Sequence, residues 1–488
     1  MISRSDVHFR LIIKFIGILL MILSGAMATS ILWSWYYNET QVIRSLLISS
    51  AITFSSGLLL FMLTSGYDHR NIGKKEGYIV VTFTWVSITL FGSLPFYLSG
   101  AIPSYTNAFF ETMSGFTTTG ATILTDIEAM PKGLLFWRSM THWLGGMGII
   151  VLTLAILPIL GVGGMQLFVA EAPGTTPSRL HPRITETAKR LWGIYVIFTL
   201  LQTLLLMFGG MDLFDAICHA FSTMATGGFS TKNDSIAGFS PYIQYVIILF
   251  MIIAGTSFSL HYFLLKGQFR KVLDNEEFRF YLSIIFVFAI IYTVVIYGMH
   301  QAGPEEAFRD SLFQIVSITT TTGFITADYL QWHGLLWFGL FLLMFTGGCI
   351  GSTGGGIKMI RILILVKNTR LELKRLIHPM AIIPVRVNGK TIPTEIIQNF
   401  LAFFLLYMLI MVAGSTIMTA FGLDFTSAVG ASIATLGNIG PAIGKLGPVD
   451  NYAFIPLGAK WALSFFMLIG RLEIFTVLLL FSPSFWKR

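Results

Sequence analysis

The strongest constraint in this sequence is a pattern that occurs four times: a threonine- and glycine-rich stretch follows a short, weakly apolar segment, and both lie between two long apolar segments. The four stretches are Phe116-Thr117-Thr118-Thr119-Gly120-Ala121-Thr122, Ala225-Thr226-Gly227-Gly228-Phe229, Thr320-Thr321-Thr322-Gly323-Phe324 and Thr435-Leu436-Gly437-Asn438-Ile439. Aligned on Gly120, Gly227, Gly323 and Gly437, they are spaced by 107, 96 and 114 residues. That is a degenerate internal repeat of roughly a hundred residues.

The long segments fall at 10–36, 43–65, 77–99, 134–160, 190–210, 242–265, 280–299, 335–365 (interrupted), 397–421 and 456–482. Most reach the ~20 residues that a spanning helix needs. Only 11% of the 488 residues are charged, where soluble domains carry about a quarter, so the chain belongs in a bilayer. The first two segments form a plain helical pair. From Glu76 onward the order span, short segment, loop, span recurs four times. The expected fold is an all-α polytopic membrane protein of about ten transmembrane helices, with four re-entrant pore helices in pseudo-fourfold repeats. Its divisions are 1–75 for the helical pair, then 76–170, 171–266, 267–378 and 379–488 for the repeats. Ala26-Met27-Ala28 resembles a signal-peptide cleavage site, but the apolar run continues to Trp35 and ends in Tyr36 and Tyr37, so it reads as a retained helix.

The net charge of +8 reports orientation. With both termini placed in the cytoplasm, 24 of the 32 Lys and Arg fall on the cytoplasmic side and seven outside, with Arg471 inside a span. That asymmetry satisfies the positive-inside rule and removes any need for a nucleic-acid partner. The basic run from Arg361 to Lys390 could meet anionic lipid. Cys218 and Cys349 offer neither a disulfide framework nor a metal pair and read as buried structural residues. His142, His219, His261 and His378 share no metal-ligand spacing and read as hydrogen-bonding residues. No paired acids, Ser/His set or metal triad lies at membrane depth, which argues against an intramembrane enzyme.

The short segments, at 107–117, 213–225, 308–319 and 425–434, each begin at or near a helix-capping residue type: Asn107, Asp212 or Asp215, Asp310 and Asp424. Helices this short cross about half of the hydrocarbon. Their C-terminal carbonyls then end inside the protein, where the macrodipole favours a cation. Irregular backbone is tolerated there only if buried or lining a water-filled path, and rings of carbonyls replace the hydration shell in K⁺ filters. Four such loops around one axis imply a cation pore built from a single chain. Glu111 and Gln314, each nine residues before its glycine, are placed to brace the loops from behind.

Two further features stand out. The run Gly347-Gly348-Cys349-Ile350-Gly351-Ser352-Thr353-Gly354-Gly355-Gly356 has six glycines in ten residues, and each costs a helix about 1 kcal/mol against Ala. The eighth span therefore breaks there; a nucleotide loop is excluded because no βαβ context surrounds it. Arg471 sits inside the last span, where an Arg is a functional residue by default. Below the loops it would repel cations or bond a carbonyl of the glycine run, and Glu473 is the alternative, structural partner.

At these residues the chain resembles the Trk/Ktr/HKT superfamily of potassium transporters, and most of all the bacterial Trk membrane subunit. The motifs FTTTGAT, ATGGFS, TTTGF and LGNIGP carry the resemblance across nearly the whole chain. It implies K⁺ as the transported ion and a selectivity filter at Thr118, Thr119, Gly120, Thr226, Gly227, Thr322, Gly323, Leu436, Gly437 and Asn438. Gly rather than Ser at 120 leans toward K⁺ over Na⁺. It implies an intramembrane gate from Gly347, Gly348, Gly351, Gly354, Gly355, Gly356 and Arg471. It also implies an inner-membrane homodimer regulated by a cytosolic, Rossmann-like subunit; the nucleotide would bind that partner, and this chain carries no cofactor. The rival mechanism is K⁺ symport with H⁺ or Na⁺. Parallel repeats speak against an inverted-repeat, alternating-access carrier.

Overall fold

The structure is a computed structural model that describes residues 8–65, 74–148, 184–299 and 303–486. The expected fourth span beyond residue 148, the division at 170/171, and Arg4, Arg70, Arg179 and Arg183 lie outside these residues. Helices α1 (Phe9–Tyr36) and α2 (Thr40–Leu63) form the N-terminal hairpin. Along α1 the residues Leu11, Phe15, Leu19, Leu23 and Met27 recur every fourth position and are buried, while Leu32 and Trp35 face outward, as expected of a helix with lipid on one face. At the hairpin corner Glu39 accepts hydrogen bonds from Lys132 N (2.5 Å), Gly133 N (3.0 Å) and Ser34 Oγ (3.1 Å). Its carboxylate thus satisfies the open N-terminus of the span that follows the first loop.

Four units follow. The first has α3 (Lys74–Gly92), α4 (Leu94–Leu98), the re-entrant α5 (Tyr105–Phe116) and α6 (Lys132–Trp143). The second has α7 (Ile184–Phe208), the re-entrant α8 (Leu213–Met224), α9 (Pro241–Gly255) and α10 (Phe258–Leu265). After the short α11 (Phe269–Leu273), the third has α12 (Glu276–Gly298), the re-entrant α13 (Pro304–Thr319), α14 (Gly334–Leu343) and α15 (Met359–Ile377). A two-stranded antiparallel hairpin, β1 (Arg386–Val387) and β2 (Lys390–Thr391), leads into the fourth. That unit has α16 (Thr394–Ala420), the re-entrant α17 (Phe425–Leu436), α18 (Leu457–Arg471) and α19 (Phe475–Leu478).

Six helices among the described residues are long and apolar enough to cross a membrane, or eight if each of two bent pairs counts as one span. The other two of the ten expected spans correspond to α6 with the five residues that follow it, 144–148, and to the pair α14 and α15.

The re-entrant helices are 12, 12, 16 and 12 residues long. Two expected caps hold: Asp212 accepts from Asp215 N and Asp424 from Ser427 N. The other two do not. Helix α5 starts after Ser104 and α13 after Gly303 with Pro304 at its first position, where proline's missing N–H costs nothing. Asn107 instead accepts from Lys460 Nζ at 2.9 Å, and Asp310 from Thr326 Oγ1 at 3.0 Å.

The break expected only in the third unit has counterparts in the others. In the first, α6 passes into a π-helical turn, Leu144–Gly148. In the second, α9 and α10 meet at 103°; in the fourth, α18 and the segment from Phe475 meet at 111°.

Candidate functional site

The four loops converge on one axis, and their backbone identifies which residues are equivalent. Thr118, Thr226, Thr321 and Asn438 all take positive φ, at 52°, 53°, 60° and 54°. Two residues on, Gly120, Gly228, Gly323 and Gly440 have φ of 81°, 81°, 81° and 95°. Each loop therefore reads left-handed residue, one residue, left-handed glycine.

This corrects the sequence-based register in two loops. The partners of Gly120 and Gly323 are Gly228 and Gly440, not Gly227 and Gly437. Gly227 occupies the middle position of its loop, and Leu436 and Gly437 belong to the end of α17, where Gly437 is right-handed with φ −79°. Asn438 holds the first position. The pattern of Thr, any residue, then Gly selects Gly228 over Gly227 from sequence, whereas in the fourth loop Thr435-Leu436-Gly437 and Asn438-Ile439-Gly440 fit a Thr-or-Asn pattern equally.

The four glycines close a ring. A Cβ added to Gly120 would lie inside 3.0 Å of Gly227 O, one on Gly228 of Thr322 O, one on Gly323 of Ile439 O, and one on Gly440 of Thr119 O. Each unit's glycine abuts the next unit's carbonyl, and the fourth returns to the first. Only a residue without a side chain permits that approach, and only a left-handed backbone turns these carbonyls so. The equivalent oxygens are thus those of Thr119, Gly227, Thr322 and Ile439. All four glycines also line a single cavity of about 150 Å³ that opens past Thr122, Ser230, Asp450 and Asn451. At its rim Asn233 joins two units, donating from Nδ2 to Asp126 (3.1 Å) and accepting from Ile127 N (2.6 Å). The Asn233 amide holds the exposed Asp126 carboxyl below its usual range.

Behind the ring, the position nine residues before each glycine holds Glu111, His219, Gln314 and Ala431. Each of the three polar residues grips the strand leaving its own loop. Glu111, buried, accepts from Thr122 Oγ1 and Ile123 N, both at 2.8 Å. His219 Nε2 meets Ser230 Oγ at 2.9 Å, and Gln314 Nε2 reaches Ala327 O at 3.3 Å. Ala431 has nothing to offer; its strand is held instead by Tyr452 OH on Gly440 O (2.8 Å) and Tyr329 OH on Ala442 O (2.7 Å).

Arg138, one of the seven Lys and Arg that the charge count places outside, is 2% exposed. Its Nε donates to Glu111 at 2.7 Å, its Nη1 to Ser230 O at 3.0 Å, and it stacks 3.4 Å from the centroid of Phe229. It welds the first loop to the second. An isolated charge in that position would be very costly, and the pair with Glu111 is what makes it tolerable.

Directly beneath the ring lies the glycine run. Gly355 N donates to Thr321 Oγ1 at 2.7 Å, and a Cβ on Gly355 would run into Gly437 O and Asn438. Thr353 Oγ1 donates to Met224 O at 3.0 Å, at the end of α8. The base of the run is closed by a bridge between Thr346 and Ile357. Glu277, 4% exposed at the start of α12, accepts from Ile350 N (2.7 Å) and Ile360 N (3.1 Å). Gly347 and Gly348 lie in the closed base, Gly351 and Gly356 carry positive φ, and Gly354 accepts from Lys358 Nζ.

Arg471 ends α18 at the bend. It donates to Thr353 O at 2.8 Å and to Gly145 O and Gly146 O at 2.6 and 2.7 Å. It ties the glycine run to the π-helical turn of the first unit. The alternative partner Glu473 is paired with Arg361. Lys358 and Arg361, two of the 24 that the charge count places on the cytoplasmic side, are both buried. Cys218 and Cys349 are free and buried, and His142, His219 and His261 each make a ring hydrogen bond, whereas His378 is exposed.

Comparison with known proteins agrees with this geometry. Residues 43–488 match the TrkH family of cation transport proteins. The Trk system potassium uptake protein TrkH of Escherichia coli K12 is 41% identical over 485 residues, covering 98% of this chain and 100% of its own length. The TrkG protein of the same organism is 32% identical, covering 98% and 99%. The crystal structure of the potassium transporter TrkH from Vibrio parahaemolyticus has a TM-score of 0.89 at 37% identity, covering 98% of this chain and 100% of that one. Matching the family model over residues 43–488 and these proteins over nearly their whole length, the chain belongs to the TrkH family of cation transport proteins.

Proposed function

We propose that this protein is a gated potassium uptake pore of the bacterial inner membrane, with K⁺ as the transported ion. The observation that carries the reading is the closed ring of glycine-to-carbonyl contacts through Gly120, Gly228, Gly323 and Gly440. An ion on that axis exchanges water for the carbonyls of Thr119, Gly227, Thr322 and Ile439, while four helix C-termini add partial negative charge. The names of the relatives, potassium uptake proteins and a potassium transporter, supply the cargo. The membrane potential would draw K⁺ inward with ~2.3 kcal/mol per charge per 100 mV.

The run 347–356 is the gate in this reading. It lies under the ring, and Arg471 fixes it there through Thr353 O. Displacing it opens the path. The divisions at 75/76, 170/171, 266/267 and 378/379 separate the helical pair and the four pore units. Both termini face the cytoplasm, and two copies form a homodimer with one pore each. A cytosolic nucleotide-binding subunit acts on the face that carries Arg370, Lys374 and Arg375, which also meets lipid. This face supplies exposed basic and apolar residues, including Met380 and Ile382.

The test is the reversal potential of the purified protein in liposomes under a K⁺ gradient, repeated with Na⁺ and with a pH gradient. A potential that follows K⁺ alone is the expected result. One that shifts with pH or Na⁺ puts coupled symport in first place. In the same assay Gly120→Ser lowers the K⁺ to Na⁺ permeability ratio, and an unchanged ratio counts against the filter assignment.

A further inference from the structure

Resting on the assignment of 347–356 as the gate, we propose that Thr321 couples that gate to the ring of carbonyls, so that ion selectivity changes with the state of the gate.

The left-handed position at the base of the ring is filled by Thr118, Thr226, Thr321 and Asn438. For a β-branched residue this backbone is a genuine outlier, and it persists only where its surroundings impose it. The four side chains are held in four ways. Thr118 Oγ1 has no hydrogen-bond partner among the described residues. Thr226 Oγ1 turns back on Ala225 O at 2.6 Å. Asn438 Nδ2 donates to Thr119 Oγ1 (3.0 Å) and Met467 O (2.9 Å). Thr321 Oγ1 accepts from Gly355 N at 2.7 Å. Among the described residues, it is the one side chain of the four bonded to the glycine run.

The run's geometry makes that bond a moving part. Its two roots are fixed by Glu277, which holds Ile350 N and Ile360 N, and by the bridge between Thr346 and Ile357. Its tip, 352–355, lies between Gly351 and Gly356, whose φ values of 74° and 62° make them natural hinges. A tip that swings away from the axis cannot keep Gly355 N on Thr321. The buried hydroxyl then loses its donor, and the strained backbone at Thr321 loses one of the contacts that impose it. The next carbonyl along is Thr322 O, the one that abuts Gly228 in the ring. Loosening Thr321 therefore loosens one of the four oxygens that would replace an ion's hydration shell.

The experiment measures total flux and the K⁺ to Na⁺ permeability ratio in liposomes for the full chain and for Arg471→Ala, Thr321→Val, Thr321→Ser and the Arg471→Ala/Thr321→Val double variant. Arg471→Ala is expected to raise flux and lower the ratio by about 2- to 10-fold, the range a single lost hydrogen bond is worth. Thr321→Val lowers the ratio by a similar factor, and Thr321→Ser, which keeps the acceptor, recovers most of it. The double variant shows no further fall, because the same contact is already gone.

Raised flux with an unchanged ratio in Arg471→Ala, or additive falls in the double variant, overturns the coupling and leaves the gate standing. Unchanged flux in Arg471→Ala overturns the gate, and the coupling with it. Should Thr321→Val fail to fold, the ratio in Arg471→Ala, whose filter residues are intact, still decides.

Discussion

At the scale of single residues the two possible registers of the fourth loop make opposite predictions. Gly440 has φ 95° and sits against Thr119 O, whereas Gly437 has a right-handed backbone at the end of α17. Alanine at 440 meets a left-handed backbone penalty of about 1–2 kcal/mol and a carbonyl in the way. Alanine at 437 keeps a permitted right-handed backbone and meets one contact inside 3.0 Å, Ile433 O at 2.9 Å, the carbonyl of its own helix that accepts the Gly437 N–H, so the shift it needs stays within α17. Gly440→Ala should therefore abolish selective K⁺ uptake, and Gly437→Ala should keep the wild-type K⁺ to Na⁺ ratio; the reverse pattern would reinstate Gly437. The difficulty of reading this position from sequence is instructive. The loops were legible because threonine and glycine cluster there, but LGNIGP offers two glycines and nothing local chooses between them. The choice is made by a contact between residues 119 and 440, in the first and fourth units. The burial of Arg138 was equally invisible: the charge count gives an Arg near a span end its side of the membrane but not its partner, Glu111.

At the scale of elements, every second span departs from a regular α-helix: the first passes into a π-helical turn, the second and fourth bend by 103° and 111°, and the third is interrupted by the glycine run. Six glycines made the third break visible in the sequence. The bends at 256–257 and 472–474 carry no such signature, and in the fourth unit Glu473 and Ile474 take positive φ without being glycine. Their strain is held in place by tertiary bonds, among them the Arg361–Glu473 pair. The same principle governs the glycine run, which is far from slack. Glu277 is the fixed point of its roots, and Glu277→Leu would leave two buried N–H groups unpaired, at about 1–3 kcal/mol each. The expected outcome is a leak flux raised by about tenfold or more. Glu277→Gln, which retains an acceptor oxygen, gives a smaller rise. A flux unmoved by Glu277→Leu in correctly folded protein would mean that the roots are held elsewhere.

At the scale of the whole molecule, the charge count assigned a side to every loop, and the structure refines what that count meant. Lys358, Arg361, Lys460 and Arg138 lie inside the protein, paired with acids or carbonyl oxygens, so they say little about orientation. The asymmetry that remains is concentrated in exposed groups such as Arg370 and Lys374, neither of which lines the cavity above the ring. Two positions turn this into a measurement. Met380, 97% exposed, follows α15, and Val449, 67% exposed, lines the cavity that the four ring glycines share. The native cysteines, Cys218 and Cys349, are both buried and give a low labelling background. A membrane-impermeant maleimide should therefore label Val449→Cys from outside intact cells and Met380→Cys only in inverted vesicles. Labelling of both from one side would break the ring-between-two-faces architecture, because a pore whose outer mouth and gate-side helix share a compartment conducts nothing across the membrane. Labelling of each from the reverse side would keep the architecture and turn the protein over, and the basic residues of α15 would then need an extracellular role that the positive-inside rule does not provide.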